Sequence, residues 1–264
     1  KTYLHLYDHQ FDQGMKFSPR DLILIGGRRG AGKSLTCVNI ANNVYEQGRS
    51  SIYFTIEMDS RSILQRMCAL GARIPIGRIA NRNLTTVEWN RVAEWWAGRF
   101  DGGVDLLPEF YDTREFDEFH KKLQSKPLHK DRQLDVVYDP VLSLSRIRQE
   151  LESKVSQTDV GVIIVDYLNQ VKRSNVPSKS GQYDWTEQIE VSKTLKSIAQ
   201  EYSIPVFAPY QTDNSGEARF AKGILDAADA AFTMETWSPE DNAITFNCTK
   251  MRSAKMEGFT SVMD

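Results

Sequence analysis

The chain has 264 residues, 41% of them hydrophobic and 26% charged, with a formal net charge of −2. These numbers describe a single globular domain, residues 1–264, that can bury a full core without disulfides or metals. They exclude a polycation that holds nucleic acid through a global field, and no apolar run is long enough to span a bilayer.

Apolar strand-like runs alternate with helical patterns, which predicts a βαβ sheet of the α/β class. Leu22 to Ile25 is a strand running into Gly26 and Gly27, and a helix follows from Lys33 to about Glu46. Ser51 to Ile56 is the next strand. Thr85-x-x-Glu88 forms a capping box for a helix with Trp89, Val92, Ala93 and Trp96 on one face. Gly102 to Arg132, mixed in charge and rich in aromatics, reads as irregular, and Phe110, Tyr111, Phe116 and Phe119 within it are expected to pack on a core. Leu134 to Tyr138 is a strand, and the helix after Ser143 sets Leu144, Ile147, Leu151 and Val155 at helical spacing. Val160 to Val165 is a continuous apolar run, the pattern of a parallel strand buried on both faces. Lys172 to Gly181 reads as an exposed loop. Asp184-x-x-Glu187 opens a helix carrying Val191, Leu195, Ile198 and Tyr202, and Ile204 to Ala208 is a strand. From Ala230 the chain reads as several strands joined by short turns.

Cys37, Cys68 and Cys248 are far apart and odd in number, and His5, His9, His120 and His129 form no ligand pattern. A reducing cytosol is the expected compartment. No signal peptide is legible, and a start at Lys1 rather than Met is expected of a fragment or a processed chain.

One motif sets the chemistry. Gly27-Arg28-Arg29-Gly30-Ala31-Gly32-Lys33-Ser34, followed by Leu35, fits G-x-x-x-x-G-K-[ST] between a strand and a helix. Its glycines let successive N–H groups turn toward phosphate oxygens, and the helix presents its positive end to the same anion. Lys33 is placed to reach β- and γ-phosphates and Ser34 to ligate Mg²⁺, which makes ATP and Mg²⁺ the expected cofactors. Such a loop predicts an acidic residue at the end of a second buried strand, and Asp166 supplies it. Glu57, after the strand Ile52 to Ile56, could act on an attacking water or be a solvated strand-end glutamate.

Together these residues resemble the C-terminal ATPase domain of DnaB-type hexameric replicative helicases. The resemblance rests on Asp21–Ile25 running into the P-loop, on Phe54-Thr55-Ile56-Glu57-Met58 and on Ile164-Val165-Asp166-Tyr167-Leu168. It continues through Ser192–Lys196, Ala199, Ile204-Pro205-Val206 and Gln211 to Lys250-Met251-Arg252, and so covers about residues 3 to 262. It implies a RecA-like P-loop fold with a mostly parallel central sheet and antiparallel C-terminal strands. It implies Glu57 as catalytic glutamate, Gln211 as a sensor of the γ-phosphate, and Arg252 as a finger reaching a neighbouring subunit's ATP, with Lys250 assisting. Single-stranded DNA is the implied ligand, with Lys172, Arg173, Lys179, Gly216, Arg219 and Lys222 as candidate contacts in two loops. A homo-hexameric ring, a primase or helicase loader as partner, and the cytosol of a bacterium or phage-infected host follow from the same resemblance.

The sequence departs from the family in several places. Arg28-Arg29 stands where many relatives carry Pro-Ser, and the segment ending Asp226-Ala227-Ala228-Asp229 is short. Residues 103–133 read as an insertion, and the family's N-terminal helical domain has no counterpart in these 264 residues. Two other functions share the phosphate motif: a RecA-like ATPase of the recombination or clock type, and an ATP-binding adaptor associated with a helicase.

Overall fold

The computed structural model describes residues 17–173, 185–212, 218–236, 243–252 and 258–262. Its centre is an eight-stranded sheet in the order β3-β2-β4-β5-β1-β6-β7-β8. The strands are β1 (Leu22–Gly27), β2 (Ser50–Thr55), β3 (Leu134–Tyr138), β4 (Val160–Asp166), β5 (Val206–Gln211), β6 (Ala230–Thr236), β7 (Ala243–Met251) and β8 (Phe259–Val262). From β3 across to β6 every pairing is parallel, while β7 and β8 add an antiparallel edge.

Strands β1, β2 and β4 are buried along their whole length. Successive side chains point to opposite faces of a strand, so each strand feeds two cores. Leu22, Leu24, Phe54, Ile163 and Val165 lie in one core, and Ile23, Ile25, Tyr53, Val162 and Ile164 in the other. The first core is closed by α7 (Leu144–Val155) and α8 (Trp185–Tyr202), through Ile147, Leu151, Val191, Leu195 and Ile198. The second is closed by α1 (Lys33–Glu46) and α2 (Ser60–Ala72), through Val38, Ala41, Ile63 and Met67. Burial on both faces is why these strands read as unbroken apolar runs.

After the short helix α3 (Ile76–Ala80), α4 (Thr86–Ala97) starts at the expected capping box. Thr85 Oγ1 accepts from the Glu88 N–H at 3.3 Å, and the Thr85 N–H donates to Glu88 Oε2 at 2.8 Å. The segment read as irregular is helical: a 3₁₀ turn (Gly103–Leu106), α5 (Leu107–Thr113) and α6 (Phe116–Gln124). Both α-helices are short and start without a side-chain cap, so no cap marked them, although Phe116, Phe119 and Leu123 of α6 stand at helical spacing. Phe110, Phe119 and Leu123 from these helices pack with Ala93 and Ala97 of α4 in a small satellite core, as expected. Beside it the Arg99 guanidinium is buried against the rings of Trp95, Trp96 and Phe100, and donates to the Leu134 carbonyl at 3.1 Å.

Two more boundaries differ from expectation. The strand read as Ile204 to Ala208 begins at Val206, past Pro205, and runs on to Gln211 because Tyr210 and Gln211 pair with Gly26 and Gly27. The candidate DNA loop that holds Gly216, Arg219 and Lys222 is helical from Ala218 to Asp226, helix α9. Gly223 in this helix packs closely: a Cβ on it would lie 2.6 Å from Ile189 Cδ1.

Candidate functional site

Four strands of the parallel sheet, β1, β2, β4 and β5, deliver the site to one edge, at their carboxyl ends. Strand β1 ends at Gly27, and the loop to Lys33 turns through Gly30 (φ 82°) and Gly32 (φ 93°), both in the left-handed region that favours glycine. A Cβ on Gly30 would meet nothing within 4 Å, so the loop is open there. Arg28 and Arg29 are exposed. Lys33 Nζ folds back onto the loop and donates to the carbonyls of Gly27 and Arg28, both at 2.7 Å. Ser34 and Leu35 lie in the first turn of α1. Burial pushes the Lys33 ammonium below its ordinary pKa, against the attraction of Asp166 and Glu57.

Asp166 ends β4 in register with Thr55 of β2. Its carboxylate is buried, accepts from the Tyr53 hydroxyl at 2.6 Å and interacts with the Ser34 side chain. Burial raises its pKa, opposed by those two hydrogen bonds, while Glu57 adds to the rise and Lys33 opposes it. The peptide joining Asp166 to Tyr167 is cis. Glu57, just past β2, is exposed and accepts from the Tyr167 hydroxyl at 3.2 Å; that hydroxyl accepts in turn from Gln170 Nε2 at 2.6 Å. Gln211 ends β5 in register with Gly27. Its N–H donates to Asn169 Oδ1 at 2.8 Å, and Asn169 Nδ2 donates to the buried Gln188 of α8 at 3.1 Å.

Lys33, Ser34, Asp166, Glu57 and Gln211 therefore share one sheet edge. The chemistry of the set suits a phosphate chain and a hard cation: a ring of turning N–H groups, one ammonium, one hydroxyl and one buried carboxylate. Among the described residues no three His, Cys, Asp or Glu side chains converge on a metal-sized site. Mg²⁺ keeps several waters and takes oxygen from phosphate rather than from a full protein cage.

Lys250 and Arg252 are not at that edge. Lys250 pairs with Ala231 and Met251 with Ala230, whereas Gly27 pairs with Met234. Arg252 thus lies level with Leu22, five residue steps from Gly27, or about 16 Å along the sheet. Lys250 Nζ donates to the carbonyls of Leu225 and Asp226, at 2.7 and 2.9 Å. Arg252 Nη2 donates to the Asp226 carbonyl at 2.9 Å, and Nη1 lies 3.4 Å from Asp229 Oδ1. Both cations sit on the C-terminal carbonyls of α9, the negative end of its dipole. Asp229 also takes Lys196 Nζ at 2.6 Å and the Leu22 N–H at 2.9 Å, tying this corner to the start of β1.

Of the candidate nucleic-acid contacts, Lys172 and Arg173 are exposed. Arg173 is engaged by α8: its guanidinium pairs with Glu190 at 2.8 Å and its N–H donates to Glu187 at 2.9 Å. Lys222 is exposed on α9. Lys179, Gly216 and Asp184, and the side chain of Arg219, lie outside the described residues. Sequence reasoning gave no role to Tyr53, Asn169, Gln170 or Gln188. Tyr53 was hidden inside an apolar run, and the others are ordinary polar residues at loop and helix-start positions.

The model of the DnaB-like helicase C-terminal domain matches residues 8–223. The chain belongs to that family. The DnaB-like match ends before β6, so Lys250 and Arg252 lie beyond it. Similar proteins include the "Probable replicative DNA helicase" of Trieres chinensis, 26% identical over 208 residues, 78% of this chain and 38% of that one. Replicative DNA helicase DnaC of Bacillus subtilis (strain 168) is 26% identical over 204 residues, 77% of this chain and 38% of its own. The chain thus spans about 38% of the length of these two relatives. Among solved structures, its fold is that of an isolated ATPase domain, with a TM-score of 0.72 at 16% identity, covering 98% of this chain and 87% of that one. It also matches a DnaB-like replicative helicase, described with its interactions with primase, with a TM-score of 0.73 at 15% identity over 99% of this chain and 59% of that one. The family member's fold is RecA-like, as the resemblance implied. Among the described residues no helix is long and apolar enough to cross a membrane.

Proposed function

We propose that this chain is the ATP-hydrolysing motor of a replicative DNA helicase, with active sites completed between subunits of a ring. The observation that carries the reading is the separation of its two halves. The P-loop, Asp166, Glu57 and Gln211 stand at the carboxyl edge of the sheet, while Arg252 stands about 16 Å away at the other end and Lys250, level with Leu24, about 10 Å away. A cation so placed cannot serve its own P-loop, but can serve the next one in a head-to-tail ring, whose interfaces are heterologous.

The roles follow from the chemistry. The loop N–H groups of residues 27–33 hold the phosphate chain, and Lys33 leaves its two carbonyls to neutralise the β- and γ-oxygens. Ser34 and Asp166 hold the metal, Asp166 through its water shell. When bound, Mg²⁺ neutralises charge on the phosphate oxygens. Glu57, steadied by Tyr167, orients the attacking water and takes its proton. Gln211 senses the γ-phosphate and relays its presence through Asn169 and Gln188 to the start of α8, next to one candidate DNA loop. Arg252, with Lys250, stabilises transition-state charge in the adjacent subunit. Lys172, Arg173 and Lys222, with Lys179, Gly216 and Arg219, are the proposed contacts to single-stranded DNA. A ring of six, and a primase or loader as partner, are part of the same reading, as is the cytosol of a bacterium or phage-infected host.

The test is steady-state ATP turnover with and without single-stranded DNA at several protein concentrations, followed by unwinding of a forked duplex. Turnover per chain that climbs with both DNA and protein concentration is expected. Turnover indifferent to DNA at every concentration would instead favour a RecA-like ATPase of another kind.

A further inference from the structure

Tyr53 is the residue of β2 whose chemistry is least explained by packing. It is fully buried among apolar side chains of the core beneath α1. A phenol so placed needs a hydrogen-bond partner. It finds one at the site: its hydroxyl donates to Asp166 Oδ2 at 2.6 Å. The sheet register makes the reach possible. Tyr53 pairs with Ile164, and Asp166 lies two residues further along the same face of β4. Two steps of a strand span about 6.6 Å, a distance that the length of a tyrosine side chain covers and that valine, isoleucine or threonine does not.

The consequence concerns orientation. A carboxylate at a strand end can turn about its last torsion, and it must present one face to the P-loop serine. The Tyr53 bond occupies Oδ2 from beneath, while the same carboxylate interacts with Ser34 on α1. The phenol comes from a strand outside the P-loop and belongs to the packed core, so its own position is fixed. We propose that Tyr53 is a positioning residue that holds the Asp166 carboxylate facing Ser34, and so sets the affinity of this chain for Mg²⁺ at a bound nucleotide. This rests on the reading of Ser34 and Asp166 as the metal-side pair. Tyrosine here has the part that an outer-shell partner has for a ligating carboxylate, where loss lowers metal affinity about tenfold or more.

The experiment is calorimetric titration of ADP into the wild-type chain and Tyr53→Phe, in EDTA and in Mg²⁺. Tyr53→Phe is expected to leave the EDTA affinity unchanged and to shrink the tightening caused by Mg²⁺ by about tenfold. An equal tightening in both chains would overturn the proposal while leaving the nucleotide reading intact. A wild type whose ADP affinity ignores Mg²⁺ would overturn both, and one that does not bind ADP at all would remove the reading itself. If Tyr53→Phe folds poorly, the comparison moves to Asp166→Asn with and without Tyr53→Phe, where no buried carboxylate is left unpaired. There the second substitution should change the Mg²⁺ effect no further. A further loss would mean that Tyr53 acts on the site by another route.

Discussion

The two ends of the parallel sheet are built in opposite ways. At the carboxyl ends of β1, β2 and β4, polar groups are few and partly buried, and the fold holds two features in place: Asp166 on Tyr53 and the loop on two left-handed glycines. At the amino end of β6, Lys250 and Arg252 lean out from an antiparallel edge and hold only the last carbonyls of α9 and the Asp229 carboxylate. On the proposed reading the first end is a receptor for phosphate, set in a core that resists deformation. The second is a half-buried lysine and an exposed arginine on bonds that are worth little in net terms where water can replace them. On the same reading, chemistry that needs exact placement is built into the sheet, and chemistry that must reach another subunit is left on an edge.

That contrast can be broken at the first end. Lys33→Ala should lower ATP turnover by about a hundredfold or more without unfolding the chain, because it removes the ammonium that meets transition-state charge. Turnover and a thermal melt on the same sample check it. At the second end, Arg252→Ala should lower turnover by about a thousandfold in assembled rings while leaving nucleotide affinity of the isolated chain unchanged, as equilibrium binding would show.

A substitution remote from both ends sharpens the comparison. Phe110→Ala opens a cavity in the satellite core and should cost about 3–5 kcal/mol of stability in urea unfolding, yet leave turnover per folded chain intact. Asp166→Asn separates stability from function within the first end. Burial raises the Asp166 carboxyl above its ordinary value, so the ionised group is a liability in the fold. Its protonated form adds stability that is present below the unfolded-state pKa and lost as pH rises through the folded one. At neutral pH the asparagine variant should therefore melt higher than the wild type in the absence of nucleotide, while Mg²⁺-dependent turnover falls. The smallest effect is expected at Thr85→Ala, which loses one half of the α4 capping box for about 1 kcal/mol and should not alter turnover.

Much of this architecture was legible in the sequence where local signals agree with the fold. The Thr85–Glu88 box, the glycine pattern before Lys33 and the apolar run into Asp166 each carry a local physical cause, and each lies where it was expected. The helices α5, α6 and α9 were not legible. α5 is too short to show a period, α6 starts without a side-chain cap, and α9 contains Gly223, against which Ile189 packs closely. The Tyr53–Asp166 bond was invisible for a different reason, since it depends on the register between two strands more than a hundred residues apart. The placement of Lys250 and Arg252 at the far end of the sheet likewise follows from β6 being parallel to β1 and β7 antiparallel to it. No reading of the K-x-R triplet alone contains that.

The most direct test of shared active sites is complementation. Lys33→Ala and Arg252→Ala chains are mixed before assembly, and ATP turnover is measured against each alone. In a head-to-tail ring, about a quarter of the interfaces then join an intact Lys33 to an intact Arg252. The account predicts that each variant is inactive alone and that the mixture recovers about that share of wild-type turnover. A co-assembled mixture as inactive as its components would contradict it.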